Sequence, residues 1–139
     1  MDSIFEIMKK YEVKGNFAHS LVGETMIIDA EKRLGVKLPE AYKKFLKEFG
    51  FGGLDGVDTL GVAKNGRIVF VDTTIELRKL GMPDNLSAIE DCDEWWYCIE
   101  KKSQKIVSWA LEDGSSYKEE FPDFESYLSD RVNDAIDNL

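Results

Sequence analysis

The residues best suited to chemistry in this chain form one short acidic segment. Residues 90–94 read Glu-Asp-Cys-Asp-Glu, and carboxylates gathered on a turn could bind calcium or serve as the acid and base of a glycosidase. The segment has neither the ligand spacing nor the glycine of an EF-hand loop. A glycosidase pair must face each other across a cleft at about 5–9 Å, which a contiguous run does not establish. We interpret the segment as a solvated acidic turn without a metal ion, and a small hydrolase is a distant alternative.

The possible nucleophiles do not form a recognisable catalytic pattern with the only histidine. His19 is the only histidine and lies beside Ser20, but a catalytic triad assembles from distant positions and needs an orienting carboxylate. Cys92 and Cys98 have no histidine near them in the sequence, and neither a CxxC nor an HxxxH zinc pattern occurs. Along one strand these two thiols lie too far apart to form a disulfide, so we expect buried, reduced cysteines. The sequence therefore predicts no catalytic residue, no cofactor and no metal site.

Phosphate and nucleic-acid binding are disfavoured as well. The glycine-rich stretch at residues 50–56 has no lysine in the Walker position and follows a predicted helix instead of a strand. We interpret it as a turn in which glycines permit positive φ. Lys43, Lys44 and Lys47 cluster on one predicted helix, but they are interleaved with glutamates and lie away from its apolar stripe. That pattern is typical of a solvated helix surface, not of a nucleic-acid interface.

The net charge of −9 is concentrated in the last third of the chain. Residues 90–139 contain 14 acidic and 5 basic side chains, whereas residues 1–89 contain 13 of each. An acidic region of this kind repels nucleic acid and anionic membranes and attracts a basic protein surface. The alternative is a solvated face that only keeps the protein soluble. Charge alone does not separate these two interpretations.

Aromatic residues accompany this acidic region. Trp95, Trp96, Tyr97 and Trp109 lie on or beside predicted strands. Because consecutive side chains of a strand point to opposite faces, a sheet that is covered on one face only would leave Trp95 or Trp96 partly exposed. We expect Trp96 to be that residue, and we expect Trp95 and Trp109 to lie in the core. An exposed aromatic among charges is typical of a protein-binding hot spot.

The elements that carry these residues predict an α+β fold. Apolar spacing and capping residues predict helices over about residues 3–11, 24–34, 39–49, 72–80 and 124–136. Short β-rich runs, with an Asn-Gly hairpin signal at residues 65–66, predict strands over about residues 57–62, 67–71, 86–90, 94–100, 105–111 and 117–121. We expect one mostly antiparallel sheet, packed by the N-terminal, middle and C-terminal helices, in a single domain over residues 1–139. In the second helix Ile27, Ile28 and Leu34 should be buried, and Asp72 or Thr73 should cap the middle helix.

One local pattern is distinctive as a whole. Gly35 ends the second helix, and Pro39 starts the third at a position where its missing N–H costs no hydrogen bond. Tyr42, Phe45, Leu46 and Phe49 then recur at helical spacing, followed by Gly50 and a Gly-Gly pair. We expect Leu34, Leu38, Tyr42, Phe45 and Leu46 to form the core of this helix pair.

The string LG-x-x-LP-x-x-Y-x-x-FL with its Gly-Gly turn resembles the SMI1/KNR4 (SUKH) family. Residues 73–83 look like the middle helix of that family, and residues 86–100 look like the central hairpin of its Gram-positive members. The resemblance covers roughly residue 30 to the C-terminus. It implies an α+β fold and the function of bacterial toxin-immunity proteins.

The resemblance implies a non-catalytic protein that binds and neutralises a cognate secreted toxin, often a nuclease. The alternative that it implies is a scaffold or regulatory adaptor. We expect a basic protein partner, no nucleic acid, no membrane and a cytoplasmic location, because the N-terminus lacks the basic and apolar regions of a signal peptide. The residues expected to bind the partner are Asp91, Asp93, Glu94, Trp96, Asp113, Glu119 and Glu120.

Overall fold

A small antiparallel sheet packs against helices from both ends of the chain. The computed structural model describes residues 2–139, and this part of the protein contains five α-helices and four strands. The helices are α1 (Asp2–Tyr11), α2 (Glu24–Leu34), α3 (Glu40–Phe49), α4 (Val69–Lys79) and α5 (Phe124–Asp137). The strands are β1 (Leu86–Asp91), β2 (Trp96–Glu100), β3 (Ile106–Trp109) and β4 (Lys118–Phe121), and two short 3₁₀ helices span Leu54–Gly56 and Leu111–Asp113. The α+β class is confirmed.

The α2–α3 pair forms as its sequence predicts. Gly35 ends α2 in the left-handed conformation, with φ of 71°, and donates its N–H to the Glu31 carbonyl. The Glu31 carboxylate is buried and accepts the N–H of Leu38 at 2.8 Å, which fixes the turn into α3. The residues expected in this core are all buried, namely Leu34, Leu38, Tyr42, Phe45 and Leu46. The prediction that Ile28 of α2 is buried is wrong. Its side chain is 50% exposed, because it lies about one residue off the buried stripe of the helix.

Two strands predicted ahead of the sheet are wrong. Residues 57–62 form only isolated bridges, from Thr59 to Gly52 and from Val62 to Ile68. Residues 67–71 turn into helix, since α4 begins at Val69 and no cap is made by Asp72 or Thr73. A short β-branched apolar run does not distinguish a strand from a buried helical turn. The core selects the helix, because Phe70, Thr74 and Leu77 then share one buried face.

The sheet is a meander with the strand order β1-β2-β3-β4, and every neighbouring pair is antiparallel. One face joins the main core through Ile99 and Ile106, beside α5 residues such as Tyr127. The other face packs on Leu77 of α4 through a second cluster that includes Cys98 and Trp109. Because antiparallel strands reverse direction, the β1–β2 turn and the β3–β4 connection lie at the same end of the sheet. Within residues 2–139, none of the helices has the length and apolar content that crossing a membrane would require.

Candidate protein-binding site

The acidic end of the sheet brings two separate stretches of sequence together. Asp91 pairs with Trp96 across β1 and β2, and Trp96 pairs with Trp109 across β2 and β3. These pairings place the β1–β2 turn next to the 3₁₀ helix that follows β3. We call residues 91–96 and 111–113 the acidic end of the sheet. The name reflects its five carboxylates, on Asp91, Asp93, Glu94, Glu112 and Asp113.

Backbone hydrogen bonds hold the β1–β2 turn in one shape. Asp91 Oδ1 accepts the N–H of Asp93 at 2.8 Å, and the N–H of Cys92 donates to the Trp95 carbonyl at 2.9 Å. Asp93 has φ of 70°, a left-handed conformation that Asp and Asn tolerate better than most residues. The side chains of Asp93 and Glu94 take no part in these contacts and are exposed. The turn therefore presents two free carboxylates from a defined backbone.

A cleft of about 600 Å³ lies on one side of this turn. Its walls come from residues 56–60, the β1–β2 turn and α5. Trp95 stands at the cleft with 38% of its surface exposed, and its ring meets Tyr97 edge-on at 6.1 Å. The expectation that Trp95 lies in the core is wrong. Trp109 is buried as predicted, and its indole N–H donates to the Gly114 carbonyl at 2.8 Å.

A second groove, of about 530 Å³, lies on the other side of the turn. Asp93, Glu94, Trp96, Leu111 and Glu112 line it. Trp96 is half-buried and packs against both core clusters, whereas Leu111 is 54% exposed. Each groove therefore combines exposed carboxylates with one well-exposed apolar side chain, Trp95 in the first and Leu111 in the second.

An ion pair between the buried Glu90 and the part-buried Arg131 forms one wall of the cleft. Glu90 is only 4% exposed and accepts hydrogen bonds from Arg131 Nε at 2.9 Å, from Arg131 Nη2 at 2.8 Å and from the Tyr127 hydroxyl at 2.7 Å. These hydrogen bonds to Glu90 raise the pKa of Arg131, and burial raises the pKa of Tyr127. A β-bulge between Ala88 and Glu90 interrupts the register of β1 at this point. The interpretation of residues 90–94 as a wholly solvated turn is therefore wrong for Glu90.

The predicted binding residues divide into free and engaged carboxylates. Asp91, Asp93, Glu94 and Trp96 lie together at the acidic end of the sheet. Asp113 also lies there, but its Oδ2 accepts the Ala110 N–H at 3.1 Å. The two β4 residues already have partners, because Lys105 Nζ lies 3.0 Å from Glu119 and Ser108 Oγ donates to Glu120 at 2.8 Å.

Sequence reasoning missed four residues of the cleft, namely Asp58, Glu90, Trp95 and Arg131. One signal was available, since Arg131 is the only basic residue in α5 and directly precedes Val132 of the apolar stripe. No local pattern marks Asp58. Burial and the charge of Glu90 raise the pKa of Asp58.

The arrangement offers little for catalysis. Ser20 Oγ donates to the Val62 carbonyl at 2.6 Å, while His19 Nε2 lies 2.6 Å from Glu12, so these neighbours do not form a dyad. Within residues 2–139, no group of three or more His, Cys, Asp or Glu side chains is placed to hold a metal ion. Burial, with the nearby charge of Glu90, raises the pKa of Cys92 to about 12. A thiol that stays protonated at neutral pH is a poor nucleophile.

This raised pKa predicts a pH dependence of stability. Below about pH 9.0, the ordinary value, the Cys92 thiol is protonated in both the native and the unfolded state. As the pH rises from there towards about 12, the unfolded chain loses the proton and the native protein keeps it, so the free energy of unfolding should fall. Urea unfolding between pH 8 and 11 measures this decline, which Cys92→Ser should make shallower. An equal slope in the variant would contradict the prediction.

The chain resembles known proteins both in its fold and in its sequence. A solved structure of a protein from Pseudomonas syringae pv. tomato superposes with a TM-score of 0.66, at 18% sequence identity, over 80% of this chain and 84% of that chain. At this identity the similarity shows the fold. A family model described as SMI1-KNR4 cell-wall (SUKH_5) matches residues 1–133. The resemblance seen in the LG…LP…Y…FL string is thereby confirmed, and the chain belongs to the SMI1-KNR4 (SUKH) family.

Proposed function

We propose that this protein is an immunity protein that binds a cognate secreted bacterial toxin one-to-one and neutralises it without catalysis. Proteins of the SUKH family generally act through protein–protein contacts, as non-catalytic immunity or scaffold proteins. The observation that carries the proposal is the acidic end of the sheet, where free carboxylates surround two exposed apolar side chains. We place the action in the cytoplasm, where a toxin that has entered the cell must be stopped.

Four carboxylates that line the two grooves are available for a partner. Within the described residues 2–139, Asp58, Asp93, Glu94 and Glu112 make no hydrogen bond or ion pair through their side chains. Of the residues that line the two grooves, six are acidic, and Arg131 is the single basic one. A surface with this excess of negative charge complements a basic partner and accelerates its capture.

The apolar residues give the same surface an anchor. Trp95 and Leu111 are exposed on opposite sides of the β1–β2 turn. A tryptophan that loses its water shell in an interface is a common hot spot, and surrounding polar residues exclude solvent from it. The partner that fits best is therefore a basic surface with a recess or an exposed apolar residue at its centre. A nuclease has a basic surface of this kind, since the path of its substrate is positively charged.

The proposal is tested with the product of the gene next to the one that encodes this chain. We expect the two proteins to co-purify in a 1:1 complex and the toxic activity of the partner to disappear in that complex. A stable complex that leaves a toxic activity intact would favour the alternative of an adaptor protein. The absence of any complex would contradict both functions for this pair.

The role of charge is tested by replacing Asp91, Asp93 and Glu94 together by their amides. The association rate with the partner should fall by roughly tenfold or more at low salt, and its dependence on ionic strength should flatten, because long-range attraction is lost. The fold should be unchanged, since Asp91→Asn keeps the oxygen that accepts the Asp93 N–H and asparagine tolerates the left-handed conformation at position 93. Stopped-flow association between 50 mM and 1 M salt measures both effects.

A matched control removes the same number of charges elsewhere. Glu6, Asp29 and Asp84 are exposed, lie on α1, on α2 and just ahead of β1, and line neither groove. Their amide variant should associate at nearly the rate of the unaltered protein. Equal slowing in both triple variants would show that net charge alone acts, and unaltered kinetics in the Asp91/Asp93/Glu94 variant would move the binding site away from the acidic end of the sheet.

A further inference from the structure

The cleft beside the β1–β2 turn is large enough to hold a side chain of another protein. Its volume of about 600 Å³ lies within the roughly 300–1,000 Å³ typical of small-ligand sites. Four separate parts of the chain contribute to its lining: Phe51, residues 56–60, residues 90–95 and Arg131 of α5. It is therefore a recess made by the tertiary structure, in which acidic residues of the β1–β2 turn face other parts of the chain.

The lining of the cleft has an excess of negative charge. Asp58, Glu90, Asp91 and Asp93 line it, and Arg131 is the only basic residue in its wall. The guanidinium of Arg131 is already committed, since it makes two hydrogen bonds to Glu90. Burial and the charge of Glu90 raise the pKa of Asp58, so a cation that entered the cleft would relieve an unfavourable charge there.

The aromatic wall of the cleft favours a flat cation. Trp95 is exposed, and its edge-on contact with Tyr97 limits the positions open to its ring. Within the same cluster, the guanidinium of Arg131 lies 5.6 Å from the centre of the Tyr97 ring. A guanidinium can stack on an indole and at the same time donate paired hydrogen bonds to a carboxylate, whereas a lysine ammonium acts as a strongly hydrated point charge.

We propose that this cleft binds the guanidinium of an arginine side chain that the partner protein presents, between the Trp95 indole and the carboxylates of Asp58 and Asp93. The inference rests on the proposed function for the identity of the partner and deepens it, because it names the side chain that the site recognises. The neighbouring groove at Leu111 then contacts less specific parts of the partner surface.

The experiment uses small probes, so that it does not depend on the partner. N-acetyl-arginine amide is titrated into ¹⁵N-labelled protein, alongside N-acetyl-lysine amide and the neutral isostere N-acetyl-citrulline amide. We expect saturable shifts of the Trp95 indole resonance and of the Asp58 and Asp93 amides with the arginine probe, at a dissociation constant in the millimolar range that is usual for one small contact. Lysine should bind at least several-fold more weakly, and citrulline should not bind.

Two double variants locate the site. Asp58→Asn with Asp93→Asn should weaken binding of the arginine probe by about tenfold or more, since each removes a carboxylate of the cleft. Glu6→Gln with Asp29→Asn removes the same charge from exposed positions on α1 and α2 that line neither groove, and should leave the dissociation constant within about twofold. Trp95→Ala should weaken binding too, and an unchanged ¹H–¹⁵N spectrum away from the cleft verifies the fold of each variant.

Several results would overturn the inference. Equal affinity for the lysine probe would show a general cation site, equal affinity for citrulline would show that charge is not recognised, and equal losses in the two double variants would show diffuse attraction only. These failures are distinct from failure of the proposed function. If the toxin is neutralised although the arginine probe does not bind, the immunity function stands without this cleft. If the probe binds and no toxin complex forms, the cleft is a guanidinium site and the immunity function is wrong.

Discussion

Replacing Phe45 by alanine is expected to lower the free energy of unfolding by about 3–5 kcal/mol, as large-to-small changes in a packed core do. Phe45 is fully buried, and its ring contacts those of Tyr42, Phe49 and Phe124 at centroid distances of 6.2, 5.8 and 6.1 Å. The substitution therefore leaves a cavity where α3 meets α5. Equilibrium urea unfolding measures the loss.

The control for this substitution is Lys44→Ala, one residue earlier on the exposed side of α3. It should change the free energy of unfolding by no more than about 0.5 kcal/mol. A loss below about 1 kcal/mol for Phe45→Ala would mean that α3 is not docked as described. Because Phe45 lines neither groove, partner affinity should be unaffected under conditions where the variant is folded.

Replacing Arg131 by methionine should lower the free energy of unfolding by about 3–5 kcal/mol, as much as Phe45→Ala does. The reason is that it leaves the buried carboxylate of Glu90 without its counter-ion. The Tyr127 hydroxyl would continue to donate to that carboxylate, and the Cys92 thiol would remain as a weak donor. The surrounding side chains shield Glu90 from water, since it is buried. Methionine preserves most of the aliphatic volume of arginine, so the loss would report charge more than packing.

A double variant separates these two contributions. Glu90→Gln combined with Arg131→Met removes both charges and keeps an oxygen that can accept the Tyr127 hydroxyl. It should recover at least about 1–2 kcal/mol relative to Arg131→Met alone, because replacing both members of a buried ion pair costs less than removing one. If the double variant is no more stable than the single one, packing of the Arg131 side chain over Tyr97 explains the loss instead.

Neighbouring acidic residues thus contribute to different properties. Glu90 is buried and paired, and it contributes to the stability of the fold. Asp93 and Glu94 are exposed and have no side-chain partner among residues 2–139, so their charge is available for association and adds little to stability. A scan of residues 90–94 should therefore show one position that controls folding and others that control capture of the partner. Substitutions of Asp93 or Glu94 should therefore change partner binding while the protein remains folded.

The predictions that held depend on local signals. Gly35 at the end of α2 and the apolar spacing of α3 act within a few residues, so their effects can be read directly from the order of side chains. The same holds for the β1–β2 turn, where Asp91 accepts a hydrogen bond from a residue two positions away. The prediction of a strand over residues 67–71 failed because an apolar β-branched run satisfies a strand and a buried helix equally well. The choice was made by the packing of Phe70 and Leu77 against distant parts of the chain.

In the candidate site, too, local features could be predicted from the sequence and long-range contacts could not. The order of residues was enough to locate an excess of acidic side chains after residue 89 and to place Asp91, Asp93, Glu94 and Trp96 at one turn. It could not show that Glu90 turns inward to Arg131, since the two residues are 41 positions apart, or that Trp95 is exposed beside a cleft. Burial and partnership depend on which surfaces meet when the sheet packs against α5, and contacts between residues far apart in the chain leave no periodic signal in the sequence. The acidic character of the site is thus local information, whereas its shape and its free carboxylates are consequences of long-range packing.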